Sequence, residues 1–206
     1  ENQNLRHLMD LQKHVPFKTL PVEILFNPPN PISQRIVINR GSDDGLKLGN
    51  PIANDSGILG QVVRIYDHSA EVSLLEDRDF AVPVQVARNG LRAAVFGAGR
   101  GNPLELRYLP VASDLEVGDV LITSGIDGIY PPGFAVAVIS RIERNADKNS
   151  SNVFCVPVAA VNRYRQALAL LYDPQWNAKA STATSKPDAP QTNTPGRRQT
   201  RARGMQ

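Results

Sequence analysis

The stretch "VGDVLITSGIDGIYPPGFAVAVISRI", residues 117–142, decides how the fold of this chain is interpreted. An apolar strand pattern runs to Thr123, ten residues rich in Gly, Pro and Asp follow, and a second strand pattern then begins. Ser124 stands at the bend. The stretch therefore predicts either a nucleophile on a sharp turn or a shaped loop between two β-strands.

The residues around Ser124 disfavour a nucleophile. The strand-to-helix elbow of serine hydrolases requires Gly-x-Ser-x-Gly, and here Ile122 and Ile126 occupy the two glycine positions. The triplet at 55–57, Asp-Ser-Gly, is similar to the serine loop of trypsin-like proteases. It precedes His68, however, whereas that class places its histidine before its serine. A trypsin-like hydrolase is therefore only an alternative.

A shaped loop accounts better for the composition of residues 124–133. The three glycines of the loop permit positive φ, and its two consecutive prolines stiffen the return of the chain. We expect a turn whose tip exposes apolar side chains, which suits contact with a partner protein better than catalysis. The candidate contact residues are Ile126, Ile129 and Tyr130.

About a dozen short runs of β-branched residues follow Pro16, separated by Gly, Pro, Asn and Asp. Runs at such close spacing predict an all-β sandwich or barrel architecture. No segment between them has the pattern of a crossover helix, which argues against a parallel α/β sheet.

Two parts of the chain are similar to each other. The segment at 46–65, "LKLGNPIANDSGILGQVVRI", aligns with the segment at 115–142, so that Gly49 matches Gly118 and the closing Arg-Ile pairs coincide. The second copy carries a longer turn. Two related β units in tandem explain this similarity, and a chance likeness between two hairpins is the alternative.

The first sixteen residues predict the end of a coiled-coil helix. Four apolar residues, at spacings of 3, 3 and 4, form one helical stripe, and the helix should end near Pro16. We expect this stripe to mediate self-association, although a helix packed on its own domain is the alternative. The stripe consists of Leu5, Leu8, Leu11 and Val15.

Charge is concentrated at the carboxyl end of the chain. Six of the 23 Lys and Arg residues and one of the 20 Asp and Glu residues lie after residue 173, which leaves 17 basic and 19 acidic residues before it. Residues 174–206 are also poor in large apolar side chains, so we expect a disordered basic tail. The basic character of the protein therefore belongs to the tail and is weak evidence for a fold that binds nucleic acid. A small nucleic-acid-binding β-barrel is kept as a further alternative.

The sequence lacks the usual patterns of metal and cofactor sites. Cys155 is the only cysteine and lies in an apolar run, so we expect it to be buried, and His7 and His14 lie on the predicted helix. No stretch is apolar and long enough to span a bilayer. The chain begins with Glu inside a helical pattern, and we expect it to be a fragment of a longer protein.

A series of sequence blocks, in fixed order over residues 1–173, resembles the extracytoplasmic part of the MreC family of rod-shape-determining proteins. The most specific block is "GDVLITSGIDGIYPPG" at 118–133, and the next is "GILGQV" at 57–62. The remaining blocks are "GSDDGLKLGNPI", "AEVSLLEDRDFAVPVQV", "LRAAVFGAG", "LELRYLP" and "VPVAAVNRYRQALALL".

This resemblance implies a mainly β fold, with two small six-stranded β-barrels in tandem preceded by the end of a coiled-coil helix. We place the first part of the barrels at 17–97 and the second part at 98–173. The barrels would be arranged somewhat as in trypsin-like proteases, but without a working triad. A membrane-spanning helix upstream would anchor the protein in the bacterial inner membrane, with this fragment on the periplasmic side.

The resemblance also implies a non-enzymatic scaffold of the cell-wall elongation machinery that maintains rod shape. It would form a homodimer or a higher homo-oligomer and would bind peptidoglycan synthases. The implied partners are MreD, the actin-like MreB, the glycosyltransferase RodA and the elongation penicillin-binding transpeptidase. No cofactor and no nucleic acid are expected.

The helical stripe leads to a first testable prediction. Leu8→Asp should weaken self-association, because it places a charge in the apolar seam between two helices. Sedimentation at matched concentrations measures this effect, and an unchanged mass would contradict the prediction.

Overall fold

The computed structural model describes residues 6, 8, 9, 12, 15–26, 33–110, 113–145, 150–159 and 165–172. Within these residues the backbone is helical at Arg6, Leu8, Met9 and Gln12 and is otherwise dominated by β-structure. A 3-10 turn lies at Ser42–Asp44. The strands are β1 (Thr19–Phe26), β2 (Arg35–Ile38), β3 (Pro51–Ala53), β4 (Ile58–Ile65), β5 (Ala70–Leu74), β6 (Ala81–Val86), β7 (Arg92–Phe96), β8 (Leu104–Arg107), β9 (Val120–Thr123), β10 (Ala135–Asn145), β11 (Ser150–Pro157) and β12 (Gln166–Leu170).

The strands form two closed antiparallel barrels of six strands each, which confirms the predicted fold class. Barrel 1 has the order β1-β12-β3-β4-β5-β2, and barrel 2 has the order β10-β11-β8-β7-β6-β9. Their interiors are filled by alternate apolar residues, as the period-two sequence pattern requires.

The chain does not build the two barrels one after the other. It leaves barrel 1 after Leu74, builds all of barrel 2 from Ala81 to Pro157, and then returns to close barrel 1 with β12. β12 pairs with β1 on one side and with β3 on the other. The sequence pattern locates strands but does not specify which strands pair, so this path of the chain could not be read from it.

The two related hairpins predicted from the sequence are β3–β4 in barrel 1 and β9–β10 in barrel 2. Both hairpins carry β-bulges at matching positions, because the register shifts around Leu59 and Val63 in β4 and around Val136 and Ser140 in β10. Each of these pairs of positions is 77 residues apart, as are the closing Arg-Ile pairs. The similarity in sequence therefore extends to the local irregularities of the strands.

The turns that precede β3 and β9 are also built alike. Gly49 and Gly118 have φ values of 87° and 97°, a region that favours glycine. The Gly49 N–H donates to the Val62 carbonyl at 2.9 Å, and the Gly118 N–H donates to the Ile139 carbonyl at 2.8 Å. Chance similarity between generic hairpins would not reproduce this shared hydrogen bond.

The apolar core of barrel 2 continues onto the outer face of barrel 1. One cluster fills the interior of barrel 1. A second cluster combines the interior of barrel 2 with residues on the outer face of barrel 1, where they alternate with the interior positions. Those barrel 1 residues are Ala53, Ile58, Leu168 and Leu170. The outer face of β3, β4 and β12 is therefore packed against barrel 2 rather than exposed to water.

The helical stripe is only partly described by the structure. Leu8 is 5% exposed and belongs to the cluster that joins the barrels, and Val15 is half-buried. Leu5 and Leu11 lie outside the described residues, as does the predicted tail at 174–206. Because Leu8 packs on its own chain, a melting curve must accompany the sedimentation test of Leu8→Asp.

No helix among the described residues has the length and hydropathy needed to cross a membrane.

Candidate functional site

The loop at 124–133, between β9 and β10, is closed at its base by the buried side chain of Thr123. The Thr123 hydroxyl donates to the Pro131 carbonyl at 2.5 Å and accepts from the Phe134 N–H at 2.9 Å. The Gly133 N–H also donates to the Thr123 carbonyl at 3.0 Å. These bonds fix both ends of the loop, so the loop is a defined structure rather than a loose connection.

The tip of the loop is turned by Asp127. Its Oδ1 atom accepts from the N–H groups of Ile129, at 3.0 Å, and Tyr130, at 3.2 Å. This side-chain-to-backbone pattern is a common way for aspartate to reverse the chain. It directs residue 130 back toward the body of the protein and leaves the residues before it on the outside.

The three predicted contact residues are separated by this turn. Ile126 and Ile129 are 60% and 40% exposed, as expected. Tyr130 is only 1% exposed, so the expectation that it lies on the surface was wrong. Its ring packs in the cluster that joins the two barrels, where an aromatic side chain removes a large apolar area from water.

The Tyr130 hydroxyl reaches into barrel 1. It donates to Gln61 Oε1 on β4 at 3.2 Å, and Gln61 Nε2 in turn donates to the Gly49 carbonyl at 3.1 Å. Burial, which disfavours the phenolate, raises the pKa of Tyr130 far above its ordinary value. The loop that was predicted to contact a partner protein therefore also joins the two barrels.

A close backbone approach adds to this contact. A Cβ atom placed on Gly57, in the β3–β4 turn of barrel 1, would lie 2.2 Å from the Ala135 carbonyl oxygen at the start of β10. Only glycine lets these two segments approach so closely.

The serines considered as nucleophiles have other partners. The Ser124 hydroxyl donates to the Pro83 carbonyl at 3.3 Å, and the Ser56 hydroxyl donates to Asp55 Oδ1 at 3.4 Å. The exposed side chain of His68 pairs with Asp43, with 3.3 Å between Nδ1 and Oδ2. Both hydroxyls thus contact backbone or carboxylate oxygens rather than an imidazole.

Cys155 is fully buried, as expected, and burial raises the pKa of its thiol to about 12.

An ion-pair cluster that the sequence did not indicate anchors the turn before β9. Arg88, in the β6–β7 turn, donates from Nε to Asp119 Oδ1 at 2.9 Å and from Nη2 to Asp119 Oδ2 at 3.0 Å. Its Nη1 atom also donates to Asp114 Oδ2 at 2.8 Å. The Arg88 guanidinium lowers the pKa of both carboxyl groups below their ordinary values.

Comparison of the repeats explains the role of this cluster. Asp119 Oδ2 accepts from the Glu116 N–H at 3.0 Å, and Asn50 Oδ1 accepts from the Lys47 N–H at 2.7 Å in the equivalent turn of barrel 1. The side-chain amide of Asn50 is therefore sufficient to accept the hydrogen bond that closes this turn. The carboxylate in the second copy additionally binds Arg88. The sequence signal for this ion pair was the change from Asn at the end of "LKLGN" to Asp at the end of "LEVGD".

We predict that Tyr130→Phe lowers the free energy of unfolding by about 1 kcal/mol, because it removes one hydrogen bond. Tyr130→Ala should cost about 3–5 kcal/mol, because it also leaves a cavity between the barrels. Urea unfolding measures both changes. Tyr108→Phe, at a tyrosine that is 79% exposed, is the matched control and should have no effect. A Tyr130→Ala variant as stable as the wild type would contradict the conclusion that Tyr130 joins the two barrels.

We also predict a pH dependence from the lowered pKa of Asp119. A carboxyl group with a lowered pKa in the folded state stabilises the fold above its ordinary value of about 3.9, and this contribution is lost as the pH falls through the lowered pKa. Asp119→Asn keeps the turn, as Asn50 does in barrel 1, but cannot form the ion pair. The melting temperature of the wild type should therefore fall more steeply below about pH 4 than that of the variant, and parallel curves would contradict this.

Comparison with known proteins places the chain in a family. The model of the family described as "Rod shape-determining protein MreC, barrel core" matches residues 24–170. The cell shape-determining protein MreC of Escherichia coli (strain K12) is 34% identical over 170 residues, which are 82% of this chain and 46% of that protein. The Haemophilus influenzae protein of the same name is also 34% identical over 170 residues, with 82% and 48% covered. The chain thus spans about half the length of these relatives.

Solved structures agree with these sequence matches. A structure described as MreC has 39% identity and a TM-score of 0.77, and it covers 82% of this chain and 97% of its own. MreC from Pseudomonas aeruginosa has 40% identity and a TM-score of 0.71, with 75% and 99% covered. A complex of PBP2 and MreC from Helicobacter pylori matches at 16% identity with a TM-score of 0.60, covering 75% and 98%, which shows the fold alone. With all of its two closed barrels except the first part of β1 lying within the matched range, the chain belongs to the MreC family.

Proposed function

We propose that this chain is the extracytoplasmic part of a non-enzymatic scaffold that maintains rod shape by organising the bacterial cell-wall elongation machinery. The observation that carries the proposal is the family match over residues 24–170, which spans all but the first part of β1. Both named relatives are cell shape-determining proteins. Binding, rather than turnover, also agrees with the engagement of Ser56 and Ser124 in local hydrogen bonds.

The loop between β9 and β10 is the proposed contact with a partner. Ile126 and Ile129 are exposed at the tip of this loop. Hydrogen bonds of Thr123 and Asp127 fix the loop, and the bond of Tyr130 to Gln61 attaches it to barrel 1. A preorganised loop loses little conformational entropy on binding, so the apolar area that it buries contributes more of its free energy to affinity.

The proposed partner at this loop is the penicillin-binding transpeptidase of the elongation machinery. The solved complex of PBP2 and MreC from Helicobacter pylori is the support for this choice. MreD, MreB and RodA are further proposed partners of the whole assembly. Self-association would use the helical stripe through Leu5, Leu11 and Val15, without Leu8, which packs on its own chain, and would yield a homodimer or a higher homo-oligomer.

The proposed location is the periplasmic side of the inner membrane, with a single membrane-spanning helix upstream of this chain as the anchor. Related structures are described as the major periplasmic domain of MreC, which supports this placement.

A scaffold of this kind would act through differential affinity. If the transpeptidase exchanges between an inactive and an active conformation, the scaffold activates it only to the extent that it binds the active one more tightly. A shift from 1% to 99% active enzyme requires a preference of roughly 10⁴-fold.

The contact loop leads to a direct test. Ile126→Asp combined with Ile129→Asp should weaken binding to a purified elongation transpeptidase at least about tenfold, which corresponds to roughly 1.4 kcal/mol at 25 °C. Both side chains are exposed, so the melting temperature should not change. Surface plasmon resonance measures the affinity.

Ser124→Ala is the matched control on the same loop. Its affinity should equal that of the wild type, because the hydroxyl donates to the Pro83 carbonyl of its own chain. Unchanged binding by the double aspartate variant would refute the contact loop. Hydrolytic activity that Ser124→Ala abolishes would refute the non-enzymatic function.

A further inference from the structure

Two arginine–phenylalanine stacks lie on the outer face of barrel 2. The centre of the Arg107 guanidinium is 4.7 Å from the centroid of the Phe96 ring. The centre of the Arg141 guanidinium is 4.5 Å from the centroid of the Phe154 ring. Both rings are half-buried and the strand residues next to them belong to the core cluster, so the rings themselves face outward. The attraction between a cation and an aromatic face holds each guanidinium in place.

The register of the sheet sets the two stacks in one row. Glu105 on β8 lies opposite Phe96 on β7 and also opposite Phe154 on β11. Neighbouring strands are about 4.8 Å apart, so the two rings lie about 10 Å apart with a carboxylate between them. A ligand that reaches both stacks must therefore be extended.

Each guanidinium of the row is paired with a carboxylate on its own strand. Arg107 donates to Glu105 Oε2 from Nε at 3.0 Å and from Nη2 at 2.6 Å. Arg141 Nε lies 3.2 Å from Glu143 Oε1. The two positive and two negative charges cancel, so the row has no excess charge that would attract an anionic polymer. No described residue accepts from Arg107 Nη1, which keeps its donors for an uncharged acceptor.

An exposed tyrosine adjoins one of the stacks in an unfavourable backbone conformation. Tyr108 has a φ of 62°, and it is the one non-glycine residue in the described part of the chain with a positive φ. Its ring is 79% exposed and meets the Phe96 ring edge-on, with 5.7 Å between the centroids. Burial of so little of the ring does not compensate for the strain, and strain of this kind is typical of ligand-binding positions.

We propose that this face of barrel 2 binds an uncharged glycan strand. Tyr108 would stack on a sugar ring, and Arg107 and Arg141 would donate to hydroxyl and acetamide oxygens. A pyranose ring has an apolar face of C–H groups and a rim of hydroxyl groups, so it fits an aromatic ring that is flanked by fixed donors. An oligosaccharide is also extended and neutral, as the two stacks and their cancelled charges require.

The row suits a glycan better than a protein partner. Protein interfaces are depleted of charged residues at their centres, whereas Glu105 stands at the centre of this row. The inference rests on the proposed function in one respect, because a periplasmic scaffold of wall synthesis lies where the N-acetylated glycan of the cell wall is available.

The first test measures binding of chitohexaose, a soluble hexamer of N-acetylglucosamine, to the 206-residue chain. One exposed ring and a few donors give a weak site, so we expect a dissociation constant of about 1 mM. Two-dimensional NMR titration measures this affinity. The shifted signals should come from β7, β8 and β11 and from Tyr108.

Tyr108→Gly separates the role of the ring from the stability of the fold. Glycine adopts a positive φ without strain, so the melting temperature should not fall, while loss of the stacked ring should weaken chitohexaose binding at least about fivefold. Tyr108→Trp should retain binding, because the indole also offers a flat face. Tyr66→Ala is the matched control. It removes a tyrosine of barrel 1 that is 48% exposed, and it should leave chitohexaose binding unchanged.

The arginines are tested by Arg107→Met and Arg141→Met combined. Methionine keeps an apolar stem over each phenylalanine but removes the hydrogen-bond donors, so binding should weaken while the fold is retained. Cosedimentation with purified peptidoglycan sacculi extends the test to the polymer. High salt screens the basic residues after residue 173, and wild type should then cosediment more than Tyr108→Gly.

Three results would overturn the inference. They are a wild-type chain without chitohexaose-dependent shifts, equal affinity of wild type and Tyr108→Gly, and a Tyr108→Gly variant that loses only transpeptidase binding. The last would assign the face to a protein partner. Because the probe is a purified sugar, failure here leaves the scaffold function standing. A wild-type chain that binds chitohexaose but no transpeptidase would instead support this inference and contradict the proposed contact loop.

Discussion

Barrel 1 closes only because β12 pairs with both β1 and β3, and the path of the whole chain follows from this pairing. Without β12, the edges of β1 and β3 would present unpaired backbone N–H and C=O groups, which a folded protein must satisfy. The strand that closes this gap follows barrel 2 in the chain, so residues 81–157 lie between two parts of barrel 1. The barrels are therefore one structural unit, and the core that continues from barrel 2 onto barrel 1 follows from this connectivity.

The two barrels show how one hairpin design serves different purposes. Both copies keep the glycine turn, the bulges and the side-chain acceptor that caps the turn. The second copy differs in two ways, because Asp119 replaces an amide and binds Arg88, and because a longer loop carries Tyr130 to barrel 1. The same loop exposes Ile126 and Ile129 at its tip. A partner that binds this tip is therefore in contact with the element that joins the barrels.

Much of the fold could be predicted because its signals are local. Period-two apolar runs located the strands, and the glycines and Asp127 of the 124–133 loop indicated a turn with an exposed tip, which Ile126 and Ile129 confirm. The prediction failed for Tyr130, since an aromatic residue in a turn has no sequence feature that tells whether it faces solvent or a second barrel. Leu8 presented the same ambiguity, because an apolar helical stripe fits a partner helix and its own domain equally well.

Reasoning from the residues established the mainly β class of the fold and the internal repeat, because both follow from residue order and from spacing over short distances. The number of barrels came instead from the resemblance to a known family. The three-dimensional structure was needed to show that β12 completes barrel 1 and that Tyr130 is buried at the contact between the barrels. The physical reason is that pairing and burial depend on which distant segments meet, and the alternation of apolar residues along a strand is the same whatever lies against it.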